Sequence, residues 1–179
     1  MSSIYLKFPT QEDKENWINY LEEYISYTPD AEPLGCGLDF NYEEWLQKVT
    51  NERKGINLKN NRVPGTVYFL INNGRIVGHT CIRHSLGNDY LSTYGGNIGL
   101  GVRPSERKNG YATKMLELAL VKCKEIGLDK VMITCREDNI GSARTIEKNG
   151  GILEDIVFIE EQDTNYKKYW IDIWRVERA

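Results

Sequence analysis

No apolar run in this chain approaches the roughly 18 residues needed to cross a bilayer, so a membrane-spanning helix is not expected. The opening Met1-Ser2-Ser3-Ile4-Tyr5-Leu6-Lys7 lacks both the charged start and the long apolar stretch of a secretion signal, and a cytoplasmic protein is expected. Cysteine is sparse. Cys36, Cys81, Cys123 and Cys135 form no C-x-x-C pair and have no histidine at zinc-ligand spacing, which argues against a disulfide framework and against a metal site. With only His79 and His84 as histidines, a pairing with Cys81 is the one thiol–imidazole arrangement on offer. Neither a Gly-x-x-x-x-Gly-Lys-Ser/Thr loop nor a Gly-x-Gly-x-x-Gly after a first strand is present, so nucleotide hydrolysis and a dinucleotide fold both lose ground. An excess of positive charge is missing too: 23 basic against 26 acidic residues give −3, unlike a protein that coats nucleic acid or a membrane surface.

What is present is ordinary globular material. The 179 residues are 40% hydrophobic, enough for one domain with a real core and no staples. The small net charge hides a polarity along the chain. Residues 1–47 hold ten acids against two bases, −8, and residues 101–124 hold six bases against two acids, +4. Such blocks serve either as solvated helix faces or as two ends of a cleft for ligands of opposite sign.

The pattern predicts a mixed α/β domain in the order βαα–βββ–α–β–α–ββ, with helices flanking a central sheet. Ile4–Phe8 reads as a strand. Thr10, with Asp13 three residues on, opens a helix bearing Trp17, Ile18, Leu21, Tyr24 and Ile25 at helical spacing. Asp39 or Asn41 caps a shorter helix with Trp45, Leu46 and Val49, and residues 50–65 read as a polar connection. Val67–Ile71, Asn72-Asn73-Gly74 and Arg75–Ile82 form a hairpin signal. A strand over 97–102 stops at Pro104, and a helix is expected over 106–126. A strand from Lys130, a helix over 139–149 and two closing strands follow. Tyr166, Tyr169, Trp170 and Trp174 crowd the last strand, as core, homodimer surface or acceptor wall.

The chemistry concentrates at the junction after Val102. Arg107-Lys108-Asn109-Gly110-Tyr111-Ala112 opens a helix whose first N–H groups have no intrahelical partner and sit at the positive end of the peptide dipoles. Gly110 and Ala112 let a phosphate approach those donors, and Arg103, Arg107 and Lys108 add charge. This is a diphosphate cradle that needs no metal. Upstream, Gly99 and Gly101 strip one face of their strand, leaving backbone against which an extended ligand arm could lie as a pseudo-strand. A bulge or close packing would use the same glycines.

Ile98-Gly99-Leu100-Gly101-Val102-Arg103-Pro104 through Ala112-Thr113-Lys114-Met115-Leu116 resembles the first cofactor motif of the Gcn5-related N-acetyltransferase (GNAT) family. Cys135 to Arg144, with Lys148-Asn149-Gly150, resembles its second. The likeness runs over residues 66–151. It implies a single acetyltransferase domain, with 1–62 as the variable acceptor side, 63–151 as the cofactor core and 152–179 as closing strands. It further implies acetyl-CoA as cosubstrate and an amine as acceptor. On the matching positions, the backbones of Leu100 and Val102 would meet the pantetheine arm. Arg107, Lys108, Asn109, Gly110, Tyr111, Ala112 and Thr113 would hold the diphosphate, and Asn139 and Ser142 would lie by the cofactor. Two positions depart from the family pattern: Ile146 stands where many members carry a tyrosine acid toward the thiolate, and Gly151 where an aromatic is usual.

The amine must lose a proton before it attacks. His84, His79, Glu154 and Asp155 are candidate bases. Asn97 cannot titrate and would orient a water or the acceptor, and Tyr111 is the candidate acid. These considerations put His84, Asn97 and Tyr111 in the catalytic set. The acid-rich N-terminal block suggests a cationic acceptor, either a small molecule or a peptide amine. A non-catalytic acyl-CoA sensor is the competing reading, favoured by the missing tyrosine.

Overall fold

The computed structural model describes residues 4–59 and 61–174. Met1–Ser3 of the stretch read for a leader, and 175–179 of the C-terminal segment, lie outside the described residues.

The elements follow the expected order: β1 (Ile4–Lys7), α1 (Lys14–Tyr27), α2 (Tyr42–Lys54), β2 (Gly65–Asn72), β3 (Arg75–Arg83), β4 (Ile98–Val102), α3 (Tyr111–Glu125), β5 (Lys130–Arg136), α4 (Ile140–Lys148), β6 (Ile152–Ile159) and β7 (Thr164–Asp172). Local signals start the helices where they were legible. Thr10 donates its N–H and hydroxyl to Asp13 Oδ2 at 2.8 and 2.9 Å, closing the turn before α1. Asn41 Oδ1 accepts from Glu44 N at α2, and Asn139 Oδ1 from Ser142 N at α4.

Two boundaries differ, for backbone reasons. The helix α2 runs through residues 50–54, expected as connection, and stops at Gly55 in the left-handed region (φ 71°). The helix α3 begins at Tyr111, not at 106, because Lys108 (φ 66°) and Gly110 (φ 79°) hold conformations no right-handed helix contains.

The central sheet is divided. One antiparallel sheet has the order β1-β2-β3-β4 and the other β5-β7-β6. Both faces of β2 are buried, and its period-2 alternation sorts them. Val67, Phe69 and Ile71 pack under α1 and α2, where the Trp17 ring stacks 4.6 Å from Phe69. Tyr68 and Leu70 turn the other way, into clusters that include Leu116 and Met115 of α3. Tyr169 of β7 belongs to the core, while Trp174 is exposed.

Candidate active site

The divided sheet sets up the site, and Asn97 makes the division. Its N–H donates to Met132 O (2.7 Å) in β5, while its carbonyl accepts from Arg83 N (2.7 Å) in β3. The side chain completes both sides: Nδ2 donates to Arg83 O (3.2 Å) and Oδ1 accepts from Met132 N (2.8 Å). A buried strand can change neighbours here only if every backbone group is still paired, and an amide carries both a donor and an acceptor.

Past this fork β4 pairs, among the described residues, with β3 alone. Arg103 N donates to Val77 O, and with His79 opposite Gly101 and Cys81 opposite Gly99 the odd positions direct their backbone groups to β3. Antiparallel alternation then turns the groups of Ile98, Leu100 and Val102 to the open edge. The Val102 carbonyl accepts there from Arg107 Nε at 3.4 Å. The side chains of Leu100 and Val102 pack beside α3.

The two glycines of β4 have different reasons. A Cβ on Gly99 would meet nothing within 4 Å, so the strand face is bare there. On Gly101 it would lie 2.5 Å from His79 Cε1 and 2.8 Å from the Tyr24 hydroxyl. Close packing, not ligand approach, requires that glycine.

At the α3 end, the N–H groups of residues 108–113 donate to no group among the described residues. The alternation of left-handed Lys108 and Gly110 curls them into a concave donor set. A Cβ on Gly110 would enter open space. Arg107 and Lys108 are exposed beside it.

Arg103 corrects the expected charge of this cradle. It is 1% exposed, and it donates from Nε to Ile76 O (2.9 Å) and from Nη1 to Glu23 Oε2 (2.8 Å) and Asn19 Oδ1 (3.1 Å). Burial pushes the Glu23 carboxyl up, but bonds from Ser105 and Arg103 outweigh it and hold the group below the ordinary carboxylate range. Arg103 thus anchors α1 to the sheet and offers no charge to an anion.

A cavity of about 630 Å³ opens on the other side of β4. Odd residues of β3 line it, namely His79, Cys81 and Arg83, together with Gly99, Leu100, Tyr24 and residues of α2 and the 31–35 loop. His79 Nδ1 lies 2.7 Å from the Tyr20 hydroxyl, and burial pulls its pKa down to about 4. The ring is therefore neutral near pH 7. The Tyr20 hydroxyl also stands 3.5 Å from Gly101 O, and in the tautomer that donates from Nδ1 to Tyr20 the Nε2 atom keeps its lone pair. Burial raises the Cys81 thiol, so no reactive thiolate is prepared beside it.

None of the three expected catalytic residues lines this cavity. His84 has the opposite parity to His79 and bonds Thr66 Oγ1 at 2.8 Å on the far face of the sheet. Tyr111 accepts from Asn72 Nδ2 (2.7 Å) and packs with Leu70, Val77 and Met115. Asn97 has both ends of its amide bonded to backbone. Of the other candidate bases, Glu154 is held below its usual range by Trp170 and Lys168 on an exposed strand.

The two departures at 146 and 151 are one packing event. Ile146 is buried, and a side chain on Gly151 would collide with its Cγ2.

The acetyltransferase (GNAT) family model matches residues 17–151. The chain belongs to this family. No curated protein matches the sequence. Among solved structures, this acetyltransferase is similar to Mycobacterium smegmatis RimJ in complex with CoA-disulfide, with TM-score 0.73, 15% identity, and coverage of 98% of this chain and 85% of that one. It is similar to aminoglycoside acetyltransferase AAC(6')-Ib in complex with coenzyme A, with TM-score 0.68, 18% identity and 99% of each chain covered. It also resembles a chimera of the spermidine N-acetyltransferase SpeG from Vibrio cholerae and hSSAT, with TM-score 0.64, 14% identity, and coverage of 98% and 99%. At these identities the likeness establishes the fold. Among the described residues of this acetyltransferase no helix is long and apolar enough to cross a membrane, and no group of three or more His, Cys, Asp or Glu residues could hold a metal ion.

Proposed function

We propose that the chain moves the acetyl group of acetyl-CoA to a primary amine, of a small molecule or a peptide, by direct attack in a ternary complex. The observation that carries this reading is the unpaired edge of β4, which offers Leu100 and Val102 backbone groups between an amide cradle at α3 and a cavity at Gly99. The pantetheine arm adds as a strand to that edge. The diphosphate takes the N–H groups of 108–113, with Arg107 and Lys108 beside it. Asn139 and Ser142 border the arm from α4, where Asn139 keeps its Nδ2 for the ligand.

In this reading the amine nitrogen attacks the thioester carbon, the C–S bond breaks, and CoA leaves as a thiolate tolerable without full protonation. A β4 N–H at the open edge faces the developing oxyanion. His79 is the group we place at the amine: its neutral ring accepts a proton that becomes more acidic as the C–N bond forms. Asn97, His84 and Tyr111 then act on the geometry of the site and not on the reacting atoms. Four unpaired cysteines suit a reducing cytoplasm.

Mixing the protein with acetyl-CoA and an amine panel should release free thiol in proportion to acetylated amine. Cofactor binding without turnover on any amine would leave the acyl-CoA sensor instead. The cradle has its own test. Gly110→Glu places a carboxylate among the orphan N–H groups, and acetyl-CoA should bind at least about tenfold more weakly, read by calorimetry.

A further inference from the structure

The cavity is less acidic than the N-terminal block suggested. Asp13 is taken by Lys7 and Thr10, Glu23 by Arg103 and Ser105, and Glu43 by Lys14. Of the ten acids before residue 48, only Glu32 lines the cavity. Glu52 lines it as well, but is paired with Arg62 at 2.8 Å. That leaves two cations there, Arg83 and Lys48, with no carboxylate partner among the described residues.

Arg83 is set up as a receptor. It is half-buried, and its Nη1 is fixed by the carbonyls of Gly95 (2.9 Å) and Gly96 (3.1 Å). A guanidinium has five N–H donors. Those on Nε and Nη2 meet no acceptor among the described residues. A rigid fork with unpaired donors in a cavity suits a planar carboxylate. His79 and Arg83 share one face of β3, four residues and roughly 13 Å of strand apart. The amine and the anion of one ligand would therefore be separated by more than a single carbon.

We propose that the acceptor is an amine that also carries a carboxylate, seated on Arg83 with its amino group toward His79, as an ω-amino acid or short peptide would be. This rests on the acetyltransfer reading and specifies its substrate class. Lys48, at the α2 wall, adds long-range attraction for the same anion.

The test titrates CoA-loaded protein with ω-amino acids of increasing chain length, each against its own carboxamide, with spermidine as the cationic comparison. At the best chain length the acid should bind about tenfold or more tighter than its amide, the size of a charge-assisted hydrogen bond. Arg83→Gln should collapse that acid-to-amide ratio toward one. A purely structural role for Arg83 would weaken both arms together and keep the ratio. Equal binding of acid and amide at every length, tighter binding of spermidine, or a ratio untouched by Arg83→Gln would each overturn the proposal. Thiol release is read on the same series. If no amine turns over, the transfer reading falls, while the acid-to-amide ratio still decides the nature of the ligand.

Discussion

Replacing Asn97 with alanine should cost about 3 kcal/mol or more of stability, from one side chain whose amide is bonded at both ends to backbone. The substitution leaves Met132 N–H and Arg83 C=O without their bonds to the side chain, and each buried unsatisfied group costs about 1–3 kcal/mol. Aspartate should do no better, because it keeps the acceptor, loses the donor and brings a charge into a site 2% exposed. Urea unfolding of wild type, Asn97→Ala and Asn97→Asp measures this directly. A variant with unchanged stability and lost turnover would instead put Asn97 in the chemistry.

Acidification should expose the other large effect. His79 is buried among Trp17, Tyr20 and Tyr24, and that loss of solvent disfavours its charged form. Its pKa is about 4 folded against roughly 6.5 unfolded. Below 6.5 the unfolded chain takes up a proton that the native ring refuses. The contribution is thus complete above pH 6.5 and disappears as pH falls toward 4, for a total of about 3 kcal/mol. His84, also held low by burial, adds a smaller slope of the same sign. Unfolding free energies measured from pH 7.5 to 4 should show this fall, and His79→Gln should flatten most of it. A slope that survives in the variant would place the proton uptake elsewhere.

Much of the framework was legible because it rests on local chemistry. Thr10 with Asp13, Asn41 and Asn139 announced helix starts, and alternation announced the strands. The orphan N–H groups before and at the start of α3 were legible for the same reason: they belong to the backbone, whatever the rest of the chain does. Long-range facts were not. Arg103 sits in a basic run before a proline and looks like a surface residue, and only its distance from Glu23 and Asn19 shows that it is walled in. The split of the sheet could not be read from β4 or β5, since periodicity gives a strand its faces and not its neighbours. Gly99 and Gly101 look alike in sequence, yet one opens onto the cavity and the other lies under His79.

The edge of β4 has a further consequence for how this protein must be studied. The proposed pantetheine contacts at Leu100 and Val102 are made by main chain, so side-chain truncation cannot remove them. An alanine survey would score both positions by their packing against α3 and pass over the binding surface entirely. Only a change in the backbone itself would register, such as an ester in place of the amide at Leu100, which deletes a donor and leaves every side chain as it was.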